Sequence, residues 1–232
     1  MLRSAKVTDA PLIADIYNYY VDNTCITFAL EHSTPQIYAN MIAVGKYPFL
    51  VAETDDGQLS GFIFAHELRS RGAFRWDVEL TVYLRPGFEG HGIGKALMTE
   101  CIQLLTRQGY MNAYSCITLP NDRSIGLHHS LGFRDIGIWE KTGYKHHAWH
   151  DVIWLCLPLG NFGGVRRSMI SPTVMNFLSQ LISRSSGFSC SMNILLSSGR
   201  KFYLRHHRTI RRRVWRCLFR HLRHANSSIY RQ

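Results

Sequence analysis

The element order read along this chain, β-α-α-β-β-β-α-β-α-β-β, predicts an α/β fold built on a sheet of mixed direction. Three observations carry that prediction. In the stretch Val78 to Leu97, Val78, Leu80, Val82 and Leu84 alternate with Glu79, Thr81 and Tyr83, which is the period of a half-buried strand. Arg85-Pro86-Gly87 then stops the strand, and Gly90, Gly92 and Gly94 lead into a run with Leu97, Met98, Cys101, Leu104 and Leu105 at helical spacing. The composition also divides near Leu159-Gly160. Residues 1–160 hold 13 Lys/Arg and all 16 Asp/Glu, a net −3, whereas residues 161–232 hold 14 Lys/Arg and no acid. Two domains are expected: a folded unit over 1–160 and a basic, acid-free extension over 161–232, disordered or partly helical.

The elements follow in order. Leu2 to Val7 reads as a short first strand. Thr8-Asp9-Ala10-Pro11 is a helix start, a capping oxygen followed by proline in the first turn, and Leu12, Ile13, Ile16, Tyr17 and Tyr20 recur at helical spacing. Residues 23–35 are irregular and contain Phe28. Pro35 to Val44 is a second helix. Phe49 to Glu53 and Leu59 to Glu67 are strands joined by the turn signal Asp55-Asp56-Gly57-Gln58. Arg69-Ser70-Arg71-Gly72 is a turn before the central strand. The next helix runs from about Gly92 to Gln108 and is ended by Gly109. Asn112 to Ile117 is a strand, Asp122 to Ser130 a helix, and Arg134 to Lys141 and Asp151 to Pro158 are the last strands, with Trp149-His150-Asp151 an aromatic anchor before the second of them.

The strand, glycine-rich turn and helix start form an anion site in outline. Unpaired N–H groups at a helix N-terminus, free of side chains, wrap a phosphate, although the same glycines also serve a tight turn with no ligand. Two nucleotide motifs fail on spacing. Ala96 follows Lys95, so no Walker hydroxyl is placed for magnesium, and Gly90-x-Gly92-x-Gly94 does not match Gly-x-Gly-x-x-Gly. Six scattered cysteines include no C-x-x-C pair and read as buried free thiols in a reducing cytosol, and no metal site is legible. The N-terminus lacks an apolar signal core and no apolar run is long enough to span a bilayer, so a cytoplasmic protein is expected.

The wider neighbourhood gives the loop its meaning. Downstream stands Asn121-Asp122-x-Ser124-x-x-Leu127-His128-x-x-Leu131-Gly132-Phe133, and with the strand and loop it resembles the GNAT acyltransferase superfamily. Phe74-Arg75-Trp76-Asp77-Val78-Glu79-Leu80-Thr81-Val82-Tyr83, Leu119-Pro120-Asn121-Asp122 and Gly143-Tyr144-Lys145-His146-x-x-Trp149-His150-Asp151-Val152 are similar to the phosphinothricin / methionine-sulfoximine N-acetyltransferases, over about residues 2–159. The resemblance implies a GNAT-type sheet, mixed but mostly antiparallel and flanked by helices, in which the Glu79 strand and the strand after Gly109 splay apart around coenzyme A. It implies acetyl-CoA as co-substrate, no metal, a small amino-acid-like amine as acceptor, and a homodimer. One departure stands out: Glu89 occupies the place of the signature's Gln or Arg, where a carboxylate repels a pyrophosphate unless it points away.

Acetyl transfer to an amine needs a base for the ammonium, an acid for the leaving thiolate and a donor for the carbonyl oxygen. Glu79 is the base candidate by resemblance and by its place before the loop. Its carboxyl, with a reference pKa of ~4.3, needs burial or a relaying water to act. Without the resemblance it reads as a surface glutamate paired with Arg75. His128 stands at the position of the thiolate donor, where phosphinothricin-type members carry histidine; as an isolated helix histidine it also suits a structural role. The resemblance further assigns coenzyme contacts to Val82, Tyr83, Leu84, Gly90, His91, Gly92, Ile93, Gly94, Lys95, Asn121 and Ser124. Phe28 walls the acceptor pocket in that family, or is simply core here. Arg71 and Arg75 offer guanidinium forks for an acidic acceptor group, or belong to a solvated loop; Tyr83, Lys145 and His146 are further pocket candidates.

In the extension, Arg205-His206-His207-Arg208, Arg211-Arg212-Arg213 and the helically spaced Val214, Trp215, Leu218, Phe219 and Leu222 fit a basic amphipathic segment. A second reading follows: a protein held to nucleic acid or an anionic membrane through residues 200–223, with an idle acetyltransferase domain. The plainer reading is a disordered or artefactual extension.

Overall fold

In a computed structural model, residues 1–160 are described, and the basic-segment expectations for 161–232 lie outside them. The chain forms β1 (Leu2–Ser4), a 3-10 turn (Val7–Asp9), α1 (Ala10–Asn23), α2 (Pro35–Val44), β2 (Phe49–Glu53), β3 (Leu59–Glu67), a 3-10 turn (Gly72–Phe74) and β4 (Asp77–Leu84). It continues with α3 (Ile93–Gln108), β5 (Asn112–Thr118), α4 (Asp122–Ser130), β6 (Arg134–Lys145) and β7 (Ala148–Pro158). The seven strands make one sheet in the order β1-β2-β3-β4-β5-β7-β6. Every pairing is antiparallel except β4 with β5. The expected mixed, mostly antiparallel α/β sheet is what forms.

That parallel pairing is short. It joins Asp77 to Asn112, Val78 to Ala113 and Glu79 to Tyr114 and goes no further. From Leu80 to Leu84 the β5-facing edge of β4 has no ladder partner among the described residues, so the sheet opens into a cleft whose apex is Glu79. Backbone groups left unpaired there call for another partner, because a buried amide without one is costly.

Period-two alternation sorts the two faces. Val78 and Leu80 pack with Leu97, Met98, Cys101 and Leu105 of α3, Ala113 and Ile117 of β5, and Phe133. The opposite face of β3, Phe62, packs with Phe49 and Val51 of β2 and with Ile13, Ile16, Tyr20 and Tyr38 of α1 and α2; Tyr83 of β4 joins this cluster. Fully burying each large apolar side chain contributes about 1.5–3 kcal/mol, so these clusters fix which face of β4 Glu79 takes. Arg3 clamps the far edge. Its guanidinium donates to both oxygens of Asp9 and both of Glu53, tying β1 to β2 and to the first turn.

Some boundaries differ from expectation. β1 ends at Ser4. β6 and β7 are longer than their patterns suggested, running on to Lys145 and back from Ala148, through a two-residue turn at His146 and His147, both at positive φ. Trp149 therefore lies inside β7 and is exposed against Tyr144, not an anchor before the strand. Among the described cysteines, all free, Cys101 and Cys156 are buried, but Cys116 is exposed on β5, so the buried-thiol reading fails there.

Candidate active site

The loop between β4 and α3 is built as an anion cradle. Arg85 is fixed by its own amide to Ser60 O and by Nε to Leu59 O, and the Phe88 amide returns to Arg85 O. Beyond it, the amides of Gly90, His91, Gly92, Ile93, Gly94 and Lys95 meet no acceptor among the described residues, and the first helical bond of α3 is Ala96 N–H to Gly92 O. Gly92, the N-cap, has φ +78°, a backbone conformation that glycine adopts without strain. Gly94 has a different task. A Cβ there would stand 3.2 Å from Leu127 Cδ2, so glycine lets α4 approach α3. A run of free amides at the positive end of a helix suits a pyrophosphate. The residues present fit the phosphate portion of coenzyme A.

Glu89 does not spoil the cradle. Its carboxylate turns back to accept the Gly87 amide at 2.8 Å and lies beside the Tyr20 hydroxyl, which donates to Leu84 O. Burial, followed by the Glu89 charge, pushes that hydroxyl up to about 12. α4 starts with Asn121, whose side chain accepts from the Ser124 amide at 3.2 Å; both are thus part of a helix start.

Glu79 is partly buried at the cleft apex. Burial raises its pKa above the usual carboxylate value, opposed by the charges of His66 and Arg69. No hydrogen bond or ion pair to its carboxylate forms among the described residues. The Arg75 pairing expected of a merely structural glutamate is not made; the Arg75 guanidinium lies over the Trp76 ring instead, 5.1 Å from its centroid. Arg71 is exposed and caps the second 3-10 turn through its backbone. The cation that reaches Glu79 is Arg69.

His128 lies on α4, 3 % exposed, with its ring edge-on to Phe133. Its Nδ1 donates to Ser124 O at 2.7 Å, so the second nitrogen, Nε2, carries the lone pair. Burial lowers its pKa, partly offset by that hydrogen bond, and the ring is neutral at pH 7.

The loop after α1 is fastened to the β6–β7 hairpin. Lys145, itself buried, donates from Nζ to Thr27 O at 2.9 Å, and Thr27 Oγ1 is 2.7 Å from the Tyr17 hydroxyl. The Phe28 ring crowds Gly143 and lies near His150, and Tyr17 meets the Tyr83 ring edge-on at 5.2 Å. Phe28, Lys145 and Tyr83 are thus brought together around one wall. His146 sits in the exposed hairpin turn, outside these contacts.

Several site residues escaped the sequence patterns. Tyr17 and Thr27 carry the wall, and Cys116 and Trp154 share the Glu79 side of the sheet, with Trp154 Nε1 buried and unpaired among the described residues. The register of β4, β5 and β7 places them there, and no local motif marks them. His66 had a local signal, a histidine on the β3 face that otherwise carries Phe62 and Phe64. Among the described residues no cluster of His, Cys, Asp or Glu is arranged to hold a metal.

Comparison with known proteins places the chain by family and fold. Residues 2–154 match the acetyltransferase (GNAT) domain family. Phosphinothricin N-acetyltransferase of Streptomyces viridochromogenes is 35 % identical over 153 residues, covering 65 % of this chain and 83 % of that protein. The L-methionine sulfoximine/L-methionine sulfone acetyltransferase of Pseudomonas paraeruginosa is 34 % identical, covering 68 % and 94 %. The crystal structure of a GNAT superfamily phosphinothricin acetyltransferase from Sinorhizobium meliloti in complex with AcCoA superimposes with a TM-score of 0.70 at 32 % identity, covering 74 % of this chain and 94 % of that one. These likenesses favour an enzyme over a protein acting through its basic extension.

Proposed function

This chain belongs to the GNAT acetyltransferase family, and we propose that it moves the acetyl group of acetyl-CoA to the amine of a small amino-acid-like acceptor: phosphinothricin, methionine sulfoximine or sulfone, or a related amino acid. The observation that carries this reading is the cleft between β4 and β5, with a half-buried, unpaired Glu79 at its apex and a cradle of free amides at its mouth.

Acetyl-CoA, when bound, supplies a thioester carbonyl open to attack by an amine. The amides of Gly90 to Lys95, with His91 and Lys95 side chains nearby, hold the pyrophosphate, and the first turn of α4, Asn121 and Ser124, lines the same mouth. The unpaired edge of β4 at Val82, Tyr83 and Leu84 offers backbone groups along the coenzyme. Glu79 takes a proton from the acceptor's ammonium, and its raised pKa makes it a better base than an exposed carboxylate. His128, neutral with a free Nε2, accepts a second proton and returns it to the thiolate sulfur. An ammonium that becomes an amide loses two protons; one goes to sulfur and one to solvent. Phe28, Tyr83 and Lys145 shape the acceptor's wall, and Arg71 and Arg75, both exposed, reach for its acidic group. Holding both substrates in one cleft supplies much of the rate without a covalent enzyme intermediate.

A cytoplasmic homodimer belongs to the same reading. Four free thiols among the described residues suit a reducing compartment. β6 is an edge strand with Ile136, Ile138, Trp139 and Tyr144 exposed, joined by Trp149 of β7, which suits a second copy.

The test is free-thiol release from acetyl-CoA by the full chain with phosphinothricin, methionine sulfoximine, methionine sulfone and a set of free amino acids. Turnover with one of them, reduced about 10²–10⁴-fold in Glu79→Gln with acetyl-CoA binding intact, supports the reading. Absence of turnover with all of them, together with no acetyl-CoA binding, refutes it.

A further inference from the structure

β3 and β4 pair antiparallel, and His66 is the residue directly opposite Glu79. Opposed residues of such a pair share a face, with Cβ atoms about 4.5–5.5 Å apart. His66 is therefore fixed beside the carboxylate, next to Thr81, in a partly exposed position. Both ring nitrogens are engaged. Nδ1 lies 3.1 Å from Glu67 O, and Nε2 lies 3.4 Å from Thr81 Oγ1. The Glu67 carbonyl only accepts, so Nδ1 carries a proton. The Thr81 hydroxyl either donates or accepts, so Nε2 is served both as imidazole and as imidazolium. The Phe64 ring, 5.8 Å away, backs the imidazole.

Among the described residues, the titratable and charged groups on the Glu79 face are Asp77, two residues before it on β4 and held by the Asn112 side-chain amide, His66 on β3, Arg69 just beyond it, and Tyr114 and Cys116 on β5. Arg69 is a permanent cation. Partial burial pushes Tyr114 up to about 12, and the protein crowded around the exposed Cys116 thiol, with the Glu79 charge, pushes that thiol up as well, so neither takes part near neutrality. His66 is the one imidazole among them, the side-chain type suited to passing a proton.

We propose that His66 is a positioning residue for the acetyl transfer, receiving from Glu79 the proton removed from the acceptor's ammonium and passing it to solvent. This rests on the acetyltransferase reading. It accounts for the one of the two protons lost by the amine that the sulfur does not take. Before transfer, Glu79 is ionised and His66 neutral. After it, a carboxylate faces an imidazolium, an arrangement that leaves Glu79 ready for the next turnover. No hydrogen bond joins the two side chains, so a solvent molecule relays the proton: the carboxyl O–H breaks, the relaying water gains one proton as it gives another, and Nε2–H forms, with no redox change.

The experiment combines two readouts on the full chain. Carbon-detected NMR follows the Glu79 carboxyl and the His66 ring through pH, and thiol release gives kcat and both KM values. In His66→Gln the Glu79 midpoint rises by about half a unit to one unit, because the neighbouring positive charge is lost. kcat at neutral pH falls roughly fivefold, with both KM values within about twofold. His66→Lys returns the Glu79 midpoint, because it restores the charge, but not kcat, because an ammonium with a pKa of ~10.4 does not take the proton. Glu79→Gln lowers the His66 midpoint and reads the same pair without altering His66. An unmoved Glu79 midpoint in His66→Gln, an unmoved His66 midpoint in Glu79→Gln, or full recovery of kcat in His66→Lys overturns the proposal. If the wild-type chain turns over no acceptor, the acetyltransferase reading fails, and the NMR titrations still decide whether the pair shares a proton.

Discussion

Replacing Gly143 by alanine tests whether the acceptor wall depends on one missing methyl group. A Cβ built on Gly143 stands 2.1, 2.3 and 2.6 Å from three carbons of the Phe28 ring. Carbon atoms in ordinary contact lie about 3.5–4.0 Å apart, so the ring must retreat by at least ~1.4 Å. Retreat is open to it, because the clashing atoms are the far edge of a side chain on an irregular loop. Forcing such a shift in a packed site costs about 1–3 kcal/mol. For a unit of this size each kcal/mol lowers Tm by roughly 2–4 °C. The Gly143→Ala chain is thus expected to melt a few degrees lower and to show a raised KM for the acceptor, with the acetyl-CoA KM unchanged, since the Phe28 ring meets Gly143 and His150 and none of the cradle residues 90–95. Phe28→Ala removes the obstacle, so the double variant must lose less stability than the two single losses added together. Melting curves and thiol-release kinetics on the four proteins decide it. A wild-type acceptor KM in Gly143→Ala, or strict additivity, refutes the contact and its role in the wall.

Gly92→Ala meets no steric neighbour but forces alanine to φ +78°, which costs about 1–2 kcal/mol. The expected result is an acetyl-CoA KM raised roughly tenfold with the acceptor KM unaffected, whereas Gly72→Ala, in open space at an ordinary φ, changes neither. Arg3→Met tests the edge clamp through pH. Burial alone raises the Asp9 carboxyl, but hydrogen bonds from Arg3 and the Lys6 amide outweigh it, and the folded-state pKa is lowered. A lowered carboxyl pKa contributes stability that is present above the unfolded value of ~3.9 and lost as pH falls through the folded value. Wild-type Tm therefore falls steeply below about pH 4, and the Arg3→Met chain starts lower at pH 7 and falls less, which thermal melts across pH 2–7 measure. Finally, the family match ends at residue 154 and every site contact named above lies within residues 1–160. A chain ended after Gly160 is expected to release thiol at the full chain's rate per mole; loss of rate would give the extension a part in the chemistry.

The central strand, its glycine turn and α3 were legible because each rests on local chemistry. Alternation names the strand, Pro86 with Gly87 ends it, and free amides follow from glycines at a helix start. α2, β2, β3 and α4 have the predicted bounds for the same reason: proline, a hairpin turn or a capping asparagine marks their ends. β6 and β7 were underestimated because their turn is made by His146 and His147, with no glycine to announce positive φ, and because β6 shifts register between Trp139 and Gly143. Trp149 and Cys116 were misplaced for a related cause. Residue type says how apolar a side chain is, and only the neighbours across the ladder say whether it is covered.

By itself, then, the order of residues determined the α/β sheet and the glycine turn that outlines an anion site, since these depend on spacings of a few positions along the chain, while Glu79 and His128 became candidates through the family resemblance. Tertiary structure alone decided what surrounds them. It set the β4–β5 ladder to end at Glu79, laid His66 opposite that carboxylate, turned Glu89 back onto its own loop and brought Lys145 across to Thr27. Burial and distance between residues far apart in sequence are properties of strand register and packing, and they control the charge state on which the chemistry runs.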